Sequence, residues 1–142
     1  MAKRPKSWRE KLTGFQNPVR KPVPKNMVGM KKGEMMLIPT PQLIKEFVEA
    51  IPEGKSMNLV EMRKAIAESN DSEVTCPITT GFHLRTVVEA TFEDHEEGLP
   101  LEAMTPVWRV LDEKAPTLKK LSDTQRAAIA KMRKEEQLDS KT

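Results

Sequence analysis

Few side chains in this sequence could do chemistry. Cys76 is its one cysteine, and His83 and His95 are its only histidines. Cys76 stands in V-T-C-P-I-T-T-G, just before an expected helix start, where the helix dipole favours a thiolate nucleophile. No histidine adjoins it as a base, and His83 falls about two turns along the following helix. A small buried or capping residue is the competing reading of Cys76. His83, in mid-helix, suits either a phosphate contact or the core. His95 lies in E-D-H-E-E, where neighbouring carboxylates favour its charged form in a solvated loop. Glu93, Asp94, Glu96 and Glu97 offer oxygens to a hard cation but lack the ordered spacing of a calcium loop, so they read as a solvated charge run. One cysteine and two histidines fall short of the four ligands of structural zinc. No metal or cofactor is expected. The chain has no Gly-rich phosphate loop, no Gly-x-Ser-x-Gly elbow and no His-Glu-x-x-His. T-P-V-W-R-V-L (105–111) remains, either a buried strand or the floor of a site that has lost its reactive residue.

The elements that would position these residues follow from periodicity and caps. M-M-L-I-P, from Met35, predicts a short strand ended by Pro39. Thr40 then serves as N-cap with Pro41 at the first helical position. Leu43, Ile44, Phe47, Val48 and Ile51 form one apolar stripe of a helix over about 41–51. Asn58 and Glu61 have capping-box spacing, and Leu59, Met62, Ala65 and Ile66 face inward from the helix that follows. After a polar loop, Thr79 or Thr80 can cap a third helix through about Phe92, with Leu84, Val87, Val88 and Thr91 on its inner face. Residues 93–104 read as acidic and irregular. Val107 to Leu111 is a strand candidate, with a second strand near Leu118 after the turn Lys114-Ala115-Pro116. Ser122 and Gln125 box a terminal helix over about 123–137, with Ile129 and Met132 inward. The sum is a mainly α fold with a small β-ribbon, a winged helix-turn-helix over 35–138, followed by a tail at 139–142.

Charge divides the chain differently. The net charge is +3 over 142 residues. Residues 1–33 hold ten Lys/Arg against Glu10 alone, giving +9, and the remainder balances to −6. A basic arm on a mildly acidic body points to a polyanionic partner. Ser7 and Glu10 cap a turn or two of helix at Trp8–Leu12; Pro18, Pro22 and Pro24 then favour an extended, solvated arm through residue 34. Trp8 and Phe15 would fasten the arm to the body. Lys3, Arg4, Lys6, Arg9, Arg20, Lys21 and Lys25 are its candidate phosphate contacts. No run approaches the roughly 18 to 20 apolar residues of a membrane span. No apolar stretch follows the basic N-terminus as in a signal peptide. A cytoplasmic protein, associated with the nucleoid if it binds DNA, is the expectation. Within the body, Arg85 and Arg109 are the cations best placed to face a ligand. A DNA-binding third helix would use its N-terminal part, Thr79, Thr80, Gly81, His83 and Arg85, because Glu89, Glu93 and Asp94 make its far end repel phosphate.

Three strings carry a family resemblance. I-P-E-G-K-S-M-N-L-V-E-M-R-K-A-I-A (51–67), C-P-I-T-T-G (76–81) and T-P-V-W-R-V (105–110) together resemble the DNA-binding domain of the methylated-DNA–protein cysteine methyltransferases, and most closely a divergent branch with C-P-I-T-T-G and T-P-Y-W-R. The similarity covers about 40–137. It implies a winged helix-turn-helix that binds duplex DNA in the minor groove. In that family a tyrosine and an arginine extrude an O6-alkylguanine, and a cysteine in Pro-Cys-His-Arg-Val accepts the alkyl group once. Pro106 and Arg109 match that pattern. Val107 occupies the cysteine position, Trp108 the histidine, Leu59 the tyrosine and Ile78 the arginine. A slip of one residue would instead put Trp108 on the cysteine position, as in alkyltransferase-like proteins that bind the lesion without removing it; the flanking Pro and Arg argue against the slip. The resemblance therefore implies a non-enzymatic DNA-binding protein, a sensor of damaged bases, with Leu59, Ile78, Pro106, Val107 and Trp108 lining a remnant pocket. Two alternatives stand beside it: Cys76 as a relocated alkyl acceptor, or RNA or an acidic protein as the partner of the same fold. An open pocket at Val107 and Trp108 would favour damage sensing, and a sealed one a different partner.

Overall fold

Ser7 and Glu10 exchange both bonds of a capping box and start α1, Trp8–Leu12. This is the first element of the computed structural model, which describes residues 7–13 and 17–138. Five residues are too few for a helix to stand alone. α1 therefore depends on Trp8 and buried Leu12, which pack into the main core. The expectations for Lys3, Arg4, Lys6, Phe15 and the tail 139–142 lie outside the described residues.

The proline-rich segment is extended and largely exposed, as expected, but it is paired to the body rather than free. Val19–Pro22 forms strand β1, which pairs antiparallel with β2, Met35–Ile38, in the register Val19↔Ile38 to Pro22↔Met35. Proline is tolerated because β1 is an edge strand. Val23 and Met30 then bury against Met36 and Cys76 in a second, smaller core. Packing thus begins well before the boundary expected at residue 35. Between the strands the chain doubles back at Val28-Gly29. Met27 N–H donates to Met30 C=O at 3.0 Å and Met30 N–H returns the bond at 2.7 Å. Val28 has φ +41° and Gly29 φ +84°. Such two-residue turns need positive φ at both positions, which glycine adopts readily and a β-branched residue seldom does.

Thr40 caps α2, Pro41–Glu49, accepting from Leu43 N–H at 3.1 Å, with Ile44 and Val48 buried. Asn58 and Glu61 complete the second box and start α3, Leu59–Ser69, which buries Met62 and Ile66 fully. β3, Val74–Thr75, joins the other edge of β2 in parallel. α4, Pro77–Glu96, begins three residues before Thr80, with Cys76 at its N-cap. It also continues past the expected end at Phe92. Four acids near a helix C-terminus oppose its dipole, and here Arg9 of α1 compensates them. Its guanidinium lies 2.7 Å from Glu97, 3.3 Å from Asp94 and 3.9 Å from Glu93. Glu93 in turn accepts the free N–H groups of Trp8 and Arg9 at the N-terminus of α1. His95 Nδ1 bonds Leu99 C=O at 2.7 Å. The acidic run is therefore solvated along Glu96 and Glu97, as expected, and also anchors α1 through Arg9.

The expected β-ribbon does not form. Leu101–Ala103, Val107–Arg109 and Pro116–Lys120 are 3₁₀ turns. Val107, Trp108, Val110 and Leu111 are all buried. This leaves no solvent face for a two-residue alternation, and Pro106 and Pro116 begin the turns without an N–H to offer a ladder. α5, Asp123–Glu135, starts at the Ser122–Gln125 box and buries Ile129 and Met132. The architecture is mainly helical, with a three-stranded sheet β1-β2-β3 lying elsewhere in the chain than the ribbon. Among the described residues no helix is long and apolar enough to cross a membrane.

Candidate nucleic-acid interface

T-P-V-W-R is a sealed structural joint. Val107 is 0% exposed and Trp108 3%. The Trp108 indole N–H donates to Glu136 Oε2 at 2.7 Å, and Arg109 meets the same carboxylate through Nε (2.9 Å to Oε1) and Nη2 (3.0 Å to Oε2). Arg109 Nη1 reaches Ile51 C=O at 2.6 Å, Gly54 N–H donates to Glu136 Oε1 at 3.0 Å, and Arg133 donates to Trp108 C=O. At the other end, Thr105 Oγ1 donates to Glu49 Oε2 at 2.9 Å. Burial alone would raise the Glu136 carboxyl. The bonds from Arg109, Gly54 and Trp108, with the Arg109 charge, bring it below the ordinary carboxylate value instead. Arg109, expected to face a ligand, is thus held inside by its bidentate partner.

Nor do the five remnant-pocket residues converge. Leu59 packs on the main core, Ile78 opens to solvent on α4, and Trp108 borders a separate small cleft rimmed by Glu53, Glu102 and Glu135. A sealed Val107 makes a specific prediction. Val107→Cys, placing a thiol where the resemblance aligns the acceptor cysteine, is expected to gain no alkyl mass after incubation with O6-methylguanine DNA. An adduct seen by mass spectrometry on the intact variant would show that the joint opens. Cys76 is buried beside Val23, Met30 and Met36, and its Sγ accepts from Thr79 Oγ1 at 3.4 Å. It is a packed residue at the N-cap position whose side chain makes no capping bond. Among the described residues no group of His, Cys, Asp and Glu is arranged to hold a metal ion.

The outward face of α4 tells a different story. Of the five expected DNA contacts there, Gly81 is exposed, and Thr79, His83 and Arg85 are half-buried. Thr80 is withdrawn, its hydroxyl donating to Cys76 C=O at 2.7 Å. Burial lowers the His83 pKa, favouring the neutral ring. Arg85 lies 3.5 Å from Glu89 and 5.2 Å from the Trp8 ring centroid. Glu89 also accepts from Gln125, so the far end of α4 turns its acids toward α1 and α5. Near its start, Ile78, Phe82 and Arg85 form a second stripe. With Pro116 and Lys120 they line a cleft of about 320 Å³.

On the other side of the same first turn, Pro77 lines a cleft of about 360 Å³. Its walls are the Val28–Met30 turn, Val60, Arg63 and Lys64 of α3, and Glu73 with β3. The hairpin beside it carries Lys21, Lys25, Lys31 and Lys32, all exposed, and residues 17–33 contain no acid. Among the described residues no ion pair engages these four lysines. Arg9 and Arg20, expected to contact phosphate, are engaged internally; Arg20 bonds Ser72 and Asp71 C=O. The sequence alone did not single out Lys31 and Lys32 beside these clefts, nor Arg63, Lys64, Phe82 and Lys120, which line them. Phe82 was within reach, since once Leu84, Val87 and Val88 face inward, positions 78, 82 and 85 must share another face. The chain matches no family model, and neither the curated proteins nor the solved structures contain a match.

Proposed function

We propose that this protein is a non-enzymatic DNA-binding protein that grips duplex phosphates with its basic hairpin and the first turn of α4. The observation that carries this reading is the set of four exposed lysines, Lys21, Lys25, Lys31 and Lys32, with no ion-pair partner among the described residues. They flank the cleft that Arg63 and Lys64 enter from α3. α3 and α4 serve as the helix pair of a helix-turn-helix, and the hairpin takes the role of the wing that the 107–118 segment does not supply. The resemblance to the alkyltransferase DNA-binding domain supports the same end of α4 as the contact. The acids of α4 oppose this little, because Arg9, Arg85 and Gln125 hold them.

Base capture at the old acceptor position has no room in this reading, because Val107 and Trp108 are packed. Binding rests on phosphate contacts and groove shape, with no alkyl transfer. Fluorescence anisotropy with a labelled 20-base-pair duplex tests it. Four lysine–phosphate contacts give a slope of log K on log salt of about −3.6. Absence of salt-sensitive binding at low ionic strength would sink the proposal. Displacement by duplex RNA but not by duplex DNA would transfer the same surface to RNA, the second reading that a sealed joint favours.

A further inference from the structure

We propose that the cleft between α4 and the 3₁₀ turn Pro116–Lys120 holds an unpaired nucleobase, stacked on Phe82, with adjoining phosphates on Arg85 and Lys120. This rests on the nucleic-acid reading above and adds a base-binding subsite away from the hairpin. Phe82 is 73% exposed, the most exposed large apolar side chain among the described residues, and Ile78 one turn earlier is 48% exposed. An exposed phenyl ring beside a second exposed apolar side chain offers a surface on which a base can stack. Pro116 faces the pair across the cleft. At about 320 Å³ the space is at the small end of ligand sites. It suits one planar group better than a helix or strand of a partner.

The rim selects the charge of that group. Arg85 and Lys120 line the cleft, and exposed Lys119 adjoins them. Arg85 is only loosely paired: its side chain is 39% exposed and its Nη2 stands 3.5 Å from Glu89, while its Nε is buried and takes no part. The guanidinium therefore retains donors for a phosphate oxygen. A planar π-face and an anion a few ångströms apart are what a single-stranded nucleic acid presents at every residue. A duplex keeps its bases stacked inside and offers only the phosphates. An acidic peptide offers the anion without a regular planar group.

The test compares oligothymidylate of twelve residues, an abasic dodecamer with the same phosphates, and the duplex. Trp8 is the optical reporter, because Arg85 lies over its ring while Trp108 is buried. Oligothymidylate is expected to bind and change Trp8 emission, with the abasic strand about tenfold weaker. Phe82→Ala, at an exposed position that leaves the core intact, is expected to weaken oligothymidylate about tenfold and duplex less than twofold. Equal binding of abasic and thymidine strands would overturn the subsite. So would indifference of oligothymidylate to Phe82→Ala, or displacement by poly-L-glutamate as effective as by thymidine strands at equal charge. If any of these occurs while duplex binding remains salt-sensitive, only the subsite fails; if nothing binds either strand form, the DNA reading fails with it.

Discussion

Charge reversal at Lys25, Lys31 and Lys32 together is expected to weaken duplex DNA binding about a hundredfold near 0.1 M salt, and to flatten the salt slope by about 2.7. Each neutralised phosphate releases counterions, so loss of three contacts removes three such terms from the salt dependence. All three side chains are exposed, and surface changes of this kind usually alter stability by less than about 0.5 kcal/mol. The informative control is Lys114, Lys131 and Lys134 reversed to Glu. It alters net charge equally but lies outside the hairpin. If both triple variants lose the same affinity, binding follows net charge and the hairpin has no special part. A hairpin-specific loss would place the contact on the hairpin, which the second core of Val23, Met30, Met36 and Cys76 fixes relative to the first turn of α4.

Glu136→Ala is expected to be the most damaging single change for stability. Its side chain is 5% exposed and holds Arg109, the Trp108 indole and Gly54 N–H at once. Removal leaves a mostly buried guanidinium and an indole N–H without their acceptor. Such a break costs roughly 3–5 kcal/mol, and the expected melting temperature falls by about 10 °C or more. Glu136→Gln keeps the shape and loses less. The lowered pKa gives the effect a direction in pH. A carboxyl depressed in the folded state stabilises above its unfolded value, and that contribution disappears as pH falls through the native value. The stability gap between wild type and Glu136→Ala should therefore be full at neutral pH and narrow in acid. Glu49 follows the same rule: burial opposes its ionisation, but bonds from Lys45 and Thr105 bring its pKa down, so the variant retains some acid sensitivity. Equal melting temperatures for Glu136→Ala and wild type at pH 7 would show that the joint does not hold the fold.

Where the signals were local, they were legible. All three capping boxes form, Thr40 caps α2, and the stripes of Ile44 and Val48 and of Leu84, Val87 and Val88 face the core. Illegible features depend on distant partners. Val-Arg-Lys-Pro at 19–22 has neither the alternation of a half-buried strand nor a β-branched run, and becomes a strand only because β2 offers an edge. The apolar run 107–111 could not declare itself, because short continuous burial looks alike in strand and turn. Nothing local singles out Glu136, because its partner Arg109 lies 27 positions earlier. For the candidate interface, charge singled out the N-terminal segment, and Lys21 and Lys25 of the expected contacts are exposed on the hairpin. Arg9 and Arg20 are exposed but engaged by Glu97 and Asp94 and by Ser72 and Asp71 C=O, whereas Lys31 and Lys32 have no ion pair among the described residues. The acceptor-site strings located a real joint whose chemistry is mechanical.

The docking of α1 also sets an order of events during synthesis. Trp8 N–H finds its acceptor on Glu93, 85 positions later. At roughly 5–20 residues per second, a ribosome takes several seconds to supply that partner. Through that interval α1, only five residues long, has nothing to hold it in a helix. The first described segment to leave the ribosome is therefore among the last to find its native place, waiting for the far end of α4.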